Sequence, residues 1–197
     1  MALPGEVLTE KVVAIAGEID QMSAEQISAL PTLLGSDFRL FGKITQCFCF
    51  IDLNLRRALE LFYLAGLLPE KWKKEYPRIR DASLTEALAD VVRGLDPKIE
   101  PVAETLVWLE AISKFRGFRN LAGHSAARGH PNADVYVFAN KNPDDAKRAG
   151  QKLPKHGFQI SVVGRSEFFE MVQAAKEGED WLGKKMPQWA KYYPEAK

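Results

Sequence analysis

The sequence predicts a mainly α protein with a small β-hairpin near its C-terminal third. Three observations lead there. Apolar residues recur at helical spacing over two long stretches, 36–68 and 99–122. Cap and stop signals bracket shorter periodic segments around them. Beyond residue 123 the pattern changes to short β-like runs, Val135–Ala139 and Phe158–Val163, the second alternating through Phe158, Ile160 and Val162.

Each element has a local reason. Val7, Leu8, Val12, Ile15 and Ile19 share helical spacing, so Glu6–Ile19 is expected to be a helix. Ser23 is placed to cap a short helix holding Ile27 and Leu30, interrupted near Pro31. Ser36 or Asp37 opens the longest element, whose stripe runs Phe41, Ile44, Phe48, Ile51, Leu55, Leu59 and Phe62. Phe50, Leu53, Leu61 and Leu64 widen that stripe, which suits a helix in the middle of a bundle. Gly66 and Pro69 end it. A charged connection, Glu70–Pro77, holds Trp72 and Tyr76.

Ser83 with Glu86 reads as a capping box for the next helix, which Gly94 and Pro97 stop. Ile99 to about Ala122 is the second long helix, with Val102, Leu106, Leu109, Ile112, Phe115 and Phe118 on its broad apolar face. AARGHPNAD reads as a loop. Asn142 and Pro143 start a short helix between the two strands, ended by Gly150. Ser166 starts a last helix through Ala175, and a polar, aromatic tail follows from Gly183. The 197 residues read as a single domain: a helical core over 1–124, a loop and hairpin over 125–165, and a C-terminal helix and tail over 166–197.

Composition narrows the function classes. Lys plus Arg number 27 and Asp plus Glu 26, a net charge of +1. Nucleic acid or membrane binding must therefore come from a local patch. The longest uncharged apolar stretches, Ile44–Ile51 and Leu61–Pro69, are too short to span a bilayer, so no membrane partner is expected. Charged residues precede any apolar run at the N-terminus, so no signal peptide is expected and the location is expected to be cytoplasmic. Cys47 and Cys49 stand two apart, poorly placed to pair or to share a metal, and read as buried reduced thiols. Neither a metal nor a cofactor is expected. The four tryptophans, Trp72, Trp108, Trp181 and Trp189, read as core or interface anchors.

One window carries chemistry. Between Ala111 and Ala133 the chain holds Lys114, Arg116, Arg119, His124, Arg128 and His130, and no Asp or Glu. Arg116, Arg119 and Asn120 fall at offsets 0, 3 and 4, which is one helix face. His124 follows Arg119 by five, about 140° away on an unbroken helix. A helix end at Gly123 would let it swing back. An imidazole, a guanidinium and an amide gathered there suit phosphodiester chemistry. The imidazole takes a proton from a ribose 2′-hydroxyl, and the guanidinium holds the phosphate as charge builds on it. The competing reading is structural: the arginines snorkel over a bundle surface while Asn120 and His124 cap a helix C-terminus. Asp52 sits in the apolar run CFCFIDLNL. It either orients the Arg–His pair or makes an i,i+4 pair with Arg56. Asn54 and Arg57 read as ordinary polar-face residues.

The segment RNLAGH, within a helical layout over Ser36–His124, resembles the HEPN domain superfamily in its RNase-type members. The matching residues are Arg119, Asn120 and His124. The resemblance implies a HEPN-like helical bundle working as a homodimer, with the Arg–His pairs of both subunits meeting in a cleft. It implies metal-independent RNA cleavage of toxin or anti-phage defence type, with an antitoxin protein as a further partner. Arg119 would bind phosphate, His124 would serve as acid–base and Asn120 would orient one of them. Arg116, Lys114 and Arg128 would bind substrate. Some members of the superfamily have lost catalysis, which leaves a regulatory or interaction module as the other expectation.

Overall fold

The computed structural model describes residues 10–140 and 159–193. The protein is mainly helical, with a small three-stranded antiparallel sheet. Its helices are α1 (Glu10–Asp20), α2 (Ala24–Ser28), α3 (Gly35–Leu64), α4 (Glu70–Lys73), α5 (Leu84–Arg93), α6 (Val102–His124) and α7 (Arg165–Tyr192). A 3₁₀ turn, Asp81–Ser83, precedes α5. The strands are β1 (Ala126–Gly129), β2 (Val135–Asn140) and β3 (Gln159–Gly164), in the order β1-β2-β3. Packing groups the chain into two compact units, each built from two separate segments: Met1–Lys43 with Phe118–Val172, and Ile44–Gly117 with Gln173–Lys197. The hairpin region thus shares a unit with the N-terminal helices.

In the first unit β2 is the central strand, with Arg128 opposite Val137 on one side and Val137 opposite Val162 on the other. Val135 and Val137 pack with Ile15, Ile19, Ile27 and Leu30 from α1, α2 and the residues that follow. Tyr136 and Phe138 belong to an aromatic cluster with Phe41 and Phe168. Side chains alternate across a strand, so β2 is covered on both faces and its run VYVF is apolar throughout. Asp37, 4% exposed, ties this unit together. Its carboxylate accepts from the Leu34 N–H at 2.8 Å, the Tyr136 hydroxyl at 2.8 Å and the Arg165 guanidinium at 2.8 Å. Burial, and then the hydrogen bond to Asp37, push the Tyr136 phenol up to about 12. The backbone runs close at Gly129, whose N–H reaches the Pro31 carbonyl at 2.9 Å. A Cβ there would stand 3.3 Å from Arg165 Nη2.

In the second unit the α3 stripe is the core: Ile44, Phe48, Ile51, Leu55, Leu59 and Phe62 are all essentially inaccessible. Leu84, Leu88, Val92, Ile112, Leu182 and Trp189 complete it. Helix α3 closes with a left-handed Gly66 (φ 74°). The Gly66 N–H bonds to Tyr63 O and the Leu67 N–H to Phe62 O, which satisfies the last-turn carbonyls. Glu100 is 2% exposed and accepts from the Thr105 hydroxyl, from Lys185 Nζ at 3.0 Å and from Trp189 Nε1 at 2.8 Å. A buried charge needs such partners.

Several expectations are corrected. The hairpin is a three-stranded sheet, because AARG, expected to be loop, pairs with β2 as β1. Ser23 forms its capping box with Gln26, but Ser83 forms none. Its backbone is the end of a 3₁₀ turn that runs straight into α5, and Glu86 pairs with Lys71 at 2.8 Å instead. The tail from Gly183 is helix, since α7 continues to Tyr192 and buries Leu182 and Trp189. Cys47 is buried as expected, but Cys49 is exposed, and no disulfide joins them. The expected helix at 142–150 lies outside the described residues. No helix among the described residues is long and apolar enough to cross a membrane.

Candidate active site at the end of helix α6

The last turns of α6 bring Arg119, Asn120 and His124 together. One guanidinium nitrogen, Arg119 Nη1, lies 3.1 Å from Asn120 Oδ1 and 3.2 Å from His124 Nε2. The helix does not break at Gly123 as expected. Gly66 is the one glycine with positive φ among the described residues, and α6 runs through His124. The long arginine arm, rather than a swing of the backbone, closes the gap around the helix.

A guanidinium can only donate, so His124 Nε2 accepts. That contact uses the lone pair of a neutral imidazole and leaves the ring proton on Nδ1. Asn120 Oδ1 takes the same donor, which fixes the guanidinium from a second side. Arg119 Nε is buried and has no hydrogen-bond partner among the described residues. Asn120 and His124 are exposed and Arg119 is half-buried, so the cluster faces solvent on a partly fixed base. An incoming phosphate oxygen can replace His124 as acceptor on Nη1, and that frees the Nε2 lone pair for proton abstraction.

The flanking candidates go elsewhere. Arg116 is buried, and its guanidinium grips Asp52 through two bonds, 3.1 and 2.6 Å, above the Phe48 ring. Its side chain is 11% exposed and committed to Asp52. Asp52 accordingly follows neither expectation. It does not pair with Arg56, which bonds Asp81 and the Ile79 carbonyl, and its carboxylate is taken by Arg116. Lys114 pairs with Glu110 at 2.8 Å on the exposed face of α6. Arg128 lies half-buried on β1.

His130 lies in the connection between β1 and β2, as expected, but its side chain turns inward. Its side chain is 4% exposed, and Nδ1 accepts from the Asn132 N–H at 3.2 Å. It holds the β1–β2 turn. His156 lies outside the described residues. Among the described residues no three His, Cys, Asp or Glu side chains are placed to hold a metal ion.

Comparison with family models, with curated proteins and with solved structures finds no match for this chain.

Proposed function

We propose that the protein is a metal-independent endoribonuclease of toxin or defence type, HEPN-like, with Arg119, Asn120 and His124 as its catalytic group. The observation that carries this reading is the shared contact of Arg119 Nη1 with Asn120 and His124 on an exposed helix end. His124 takes the proton from the 2′-hydroxyl, whose oxygen attacks the adjacent phosphorus. The P–O5′ bond breaks, and the 5′-oxygen leaves with a proton returned by an acid. Arg119 neutralises the charge that builds on the non-bridging oxygens, a role in which a two-pronged guanidinium outperforms an ammonium.

Among the described residues this group holds a single imidazole, and the reaction asks for both a base and an acid. A homodimer that pairs two such sites supplies both. Side chains such as Leu34 (64% exposed), Phe38 (62%) and Val107 (63%) support an assembly that covers them. The site is to be tested by mass spectrometry of products made in excess EDTA. Products ending in 2′,3′-cyclic phosphate are expected, and RNA with 2′-deoxyribose at the cut position should resist cleavage. Products ending in 3′-hydroxyl groups, or cleavage of the deoxy substrate, would rule this mechanism out.

A further inference from the structure

A second set of chemistry-bearing side chains lies in the other unit. A groove of about 240 Å³ runs between α3 and the segment from Tyr76 to Leu84. Leu53, Arg57 and Glu60 border it from α3, and Tyr76 and Pro77 border it from the far side. The α3 residues lie four and three apart, so they share one face of that helix.

Two neighbouring arginines line this groove, and they are used differently. Arg56 is committed to the Ile79 carbonyl at 3.2 Å and to Asp81. Arg57 is exposed and has no ion pair or side-chain hydrogen bond among the described residues. Arg78 and Arg80, on either side of Ile79, are exposed in the same way. The Tyr76 ring is backed by Tyr63, with centroids 4.3 Å apart and planes 20° apart. Burial raises the Tyr76 phenol above its ordinary range, and the Glu60 carboxylate adds to it. Glu60 and Tyr76 thus border the same groove from opposite sides.

An aromatic ring supported from behind, an uncommitted guanidinium and a carboxylate on one rim form a set that an apolar peptide would not need. A nucleotide uses all three. Stacked bases on aromatic rings and phosphates on arginines are the means by which single strands are held. We propose that this groove is a subsite for single-stranded RNA, taking one nucleotide with its base against Tyr76, its phosphate on Arg57 and its exocyclic amine on Glu60. That the ligand is RNA rests on the function proposed above. A duplex cannot offer its base faces to Tyr76. Cytosine donates from its 4-amino group to a carboxylate, whereas uracil turns a carbonyl oxygen toward it and leaves two acceptors facing each other. Glu60 thus selects cytosine over uracil.

The test is fluorescence anisotropy with labelled oligo(C) and oligo(U) of about 12 nucleotides, the scale of single-strand binding sites. The full chain carrying His124→Ala is used, so that the probes stay whole. Arg57 and Glu60 are exposed on a helix, so Arg57→Ala and Glu60→Gln should fold, which circular dichroism verifies. Oligo(C) should bind about tenfold more tightly than oligo(U), and Glu60→Gln should erase that preference. Arg57→Ala should weaken both probes about fivefold or more and reduce the salt dependence by about one phosphate contact. Equal binding of the two probes, or Arg57→Ala binding as tightly as its parent, would overturn the subsite. If the wild type cleaves RNA in EDTA while Arg57→Ala binds unchanged, the subsite fails and the nuclease stands. If the wild type does not cleave but binding depends on Arg57 and Glu60, the nuclease fails and the subsite stands.

Discussion

Replacing Glu100 with Gln should be among the most damaging single-atom changes available in this protein. The carboxylate is 2% exposed, and the side chain of its partner Lys185 is 9% exposed. Gln keeps the shape but only one acceptor oxygen: turned toward Trp189 Nε1, it leaves the amide NH2 facing the Thr105 hydroxyl, which can accept, and Lys185 Nζ, which cannot. The charge and the acceptor for Lys185 are both lost, and the ammonium is left buried without a counter-charge. Breaking such a pair from one side costs about 3–5 kcal/mol. For a chain of this size each kcal/mol moves the melting midpoint by about 2–4 °C, so a fall of about 6–20 °C is expected. Urea titration followed by circular dichroism gives the free energy, and calorimetry the midpoint. The double variant Glu100→Gln with Lys185→Met removes both charges and should recover to within about 1 kcal/mol of the wild type, since uncharged replacements of buried pairs are often neutral. If Glu100→Gln costs less than about 1 kcal/mol, or the double variant is no better than the single one, the argument from the buried pair is wrong.

Tyr136→Phe should cost about 1 kcal/mol at neutral pH, read by urea titration, because it removes one buried hydrogen bond to Asp37. The same phenol sets an alkaline limit. Its folded value, about 12, lies above its ordinary value near 10, so the folded protein holds the proton longer than the unfolded chain. Stability from this group is complete below pH 10 and is lost as pH rises toward 12. Tyr136→Phe should flatten that part of the pH–stability curve, and an unchanged slope would contradict the assignment. Asp52→Asn should lower the melting midpoint, because it discharges the partner of the buried Arg116, while Lys114→Ala should leave it nearly unchanged, its ion pair being exposed. Light scattering at micromolar concentration should give twice the mass of one chain. A single-chain mass would remove the shared site.

Much of the fold was legible because periodicity records burial. The α3 stripe from Ile44 to Phe62 is the core of its unit, and Val135–Ala139 is a strand as the apolar run suggested. What was hidden depended on partners distant in sequence. β1 reads as a loop because Ala126, Ala127 and Gly129 are poor strand formers, and pairing with β2 overrides that. The tail from Gly183 reads as irregular because Gly183 and Pro187 are poor helix residues, yet Trp189 and Lys185 gain the Glu100 contacts by staying helical. At the site, spacing alone set His124 about 140° from Arg119 and proximity was expected only from a helix end at Gly123, whereas the arginine arm reaches past an intact turn. The buried Asp52–Arg116 pair joins residues 64 positions apart, a separation on which local spacing is silent. The groove was missed for the same reason: Arg57 alone reads as a polar-face residue, and Tyr76 and Glu60 give it meaning only in three dimensions.

The most direct measurement is single-turnover cleavage of RNA in excess EDTA, wild type against His124→Ala, with both proteins shown to be folded. Proton transfer by a positioned side chain contributes about 10²–10⁴-fold, so His124→Ala should lose at least about a hundredfold in rate. Arg119→Lys should fall with it, and His130→Gln, judged on its folded fraction, should not. A His124→Ala protein that cleaves at the wild-type rate, or a wild type that cleaves only when a divalent metal is supplied, would contradict the assignment of His124 as the acid–base.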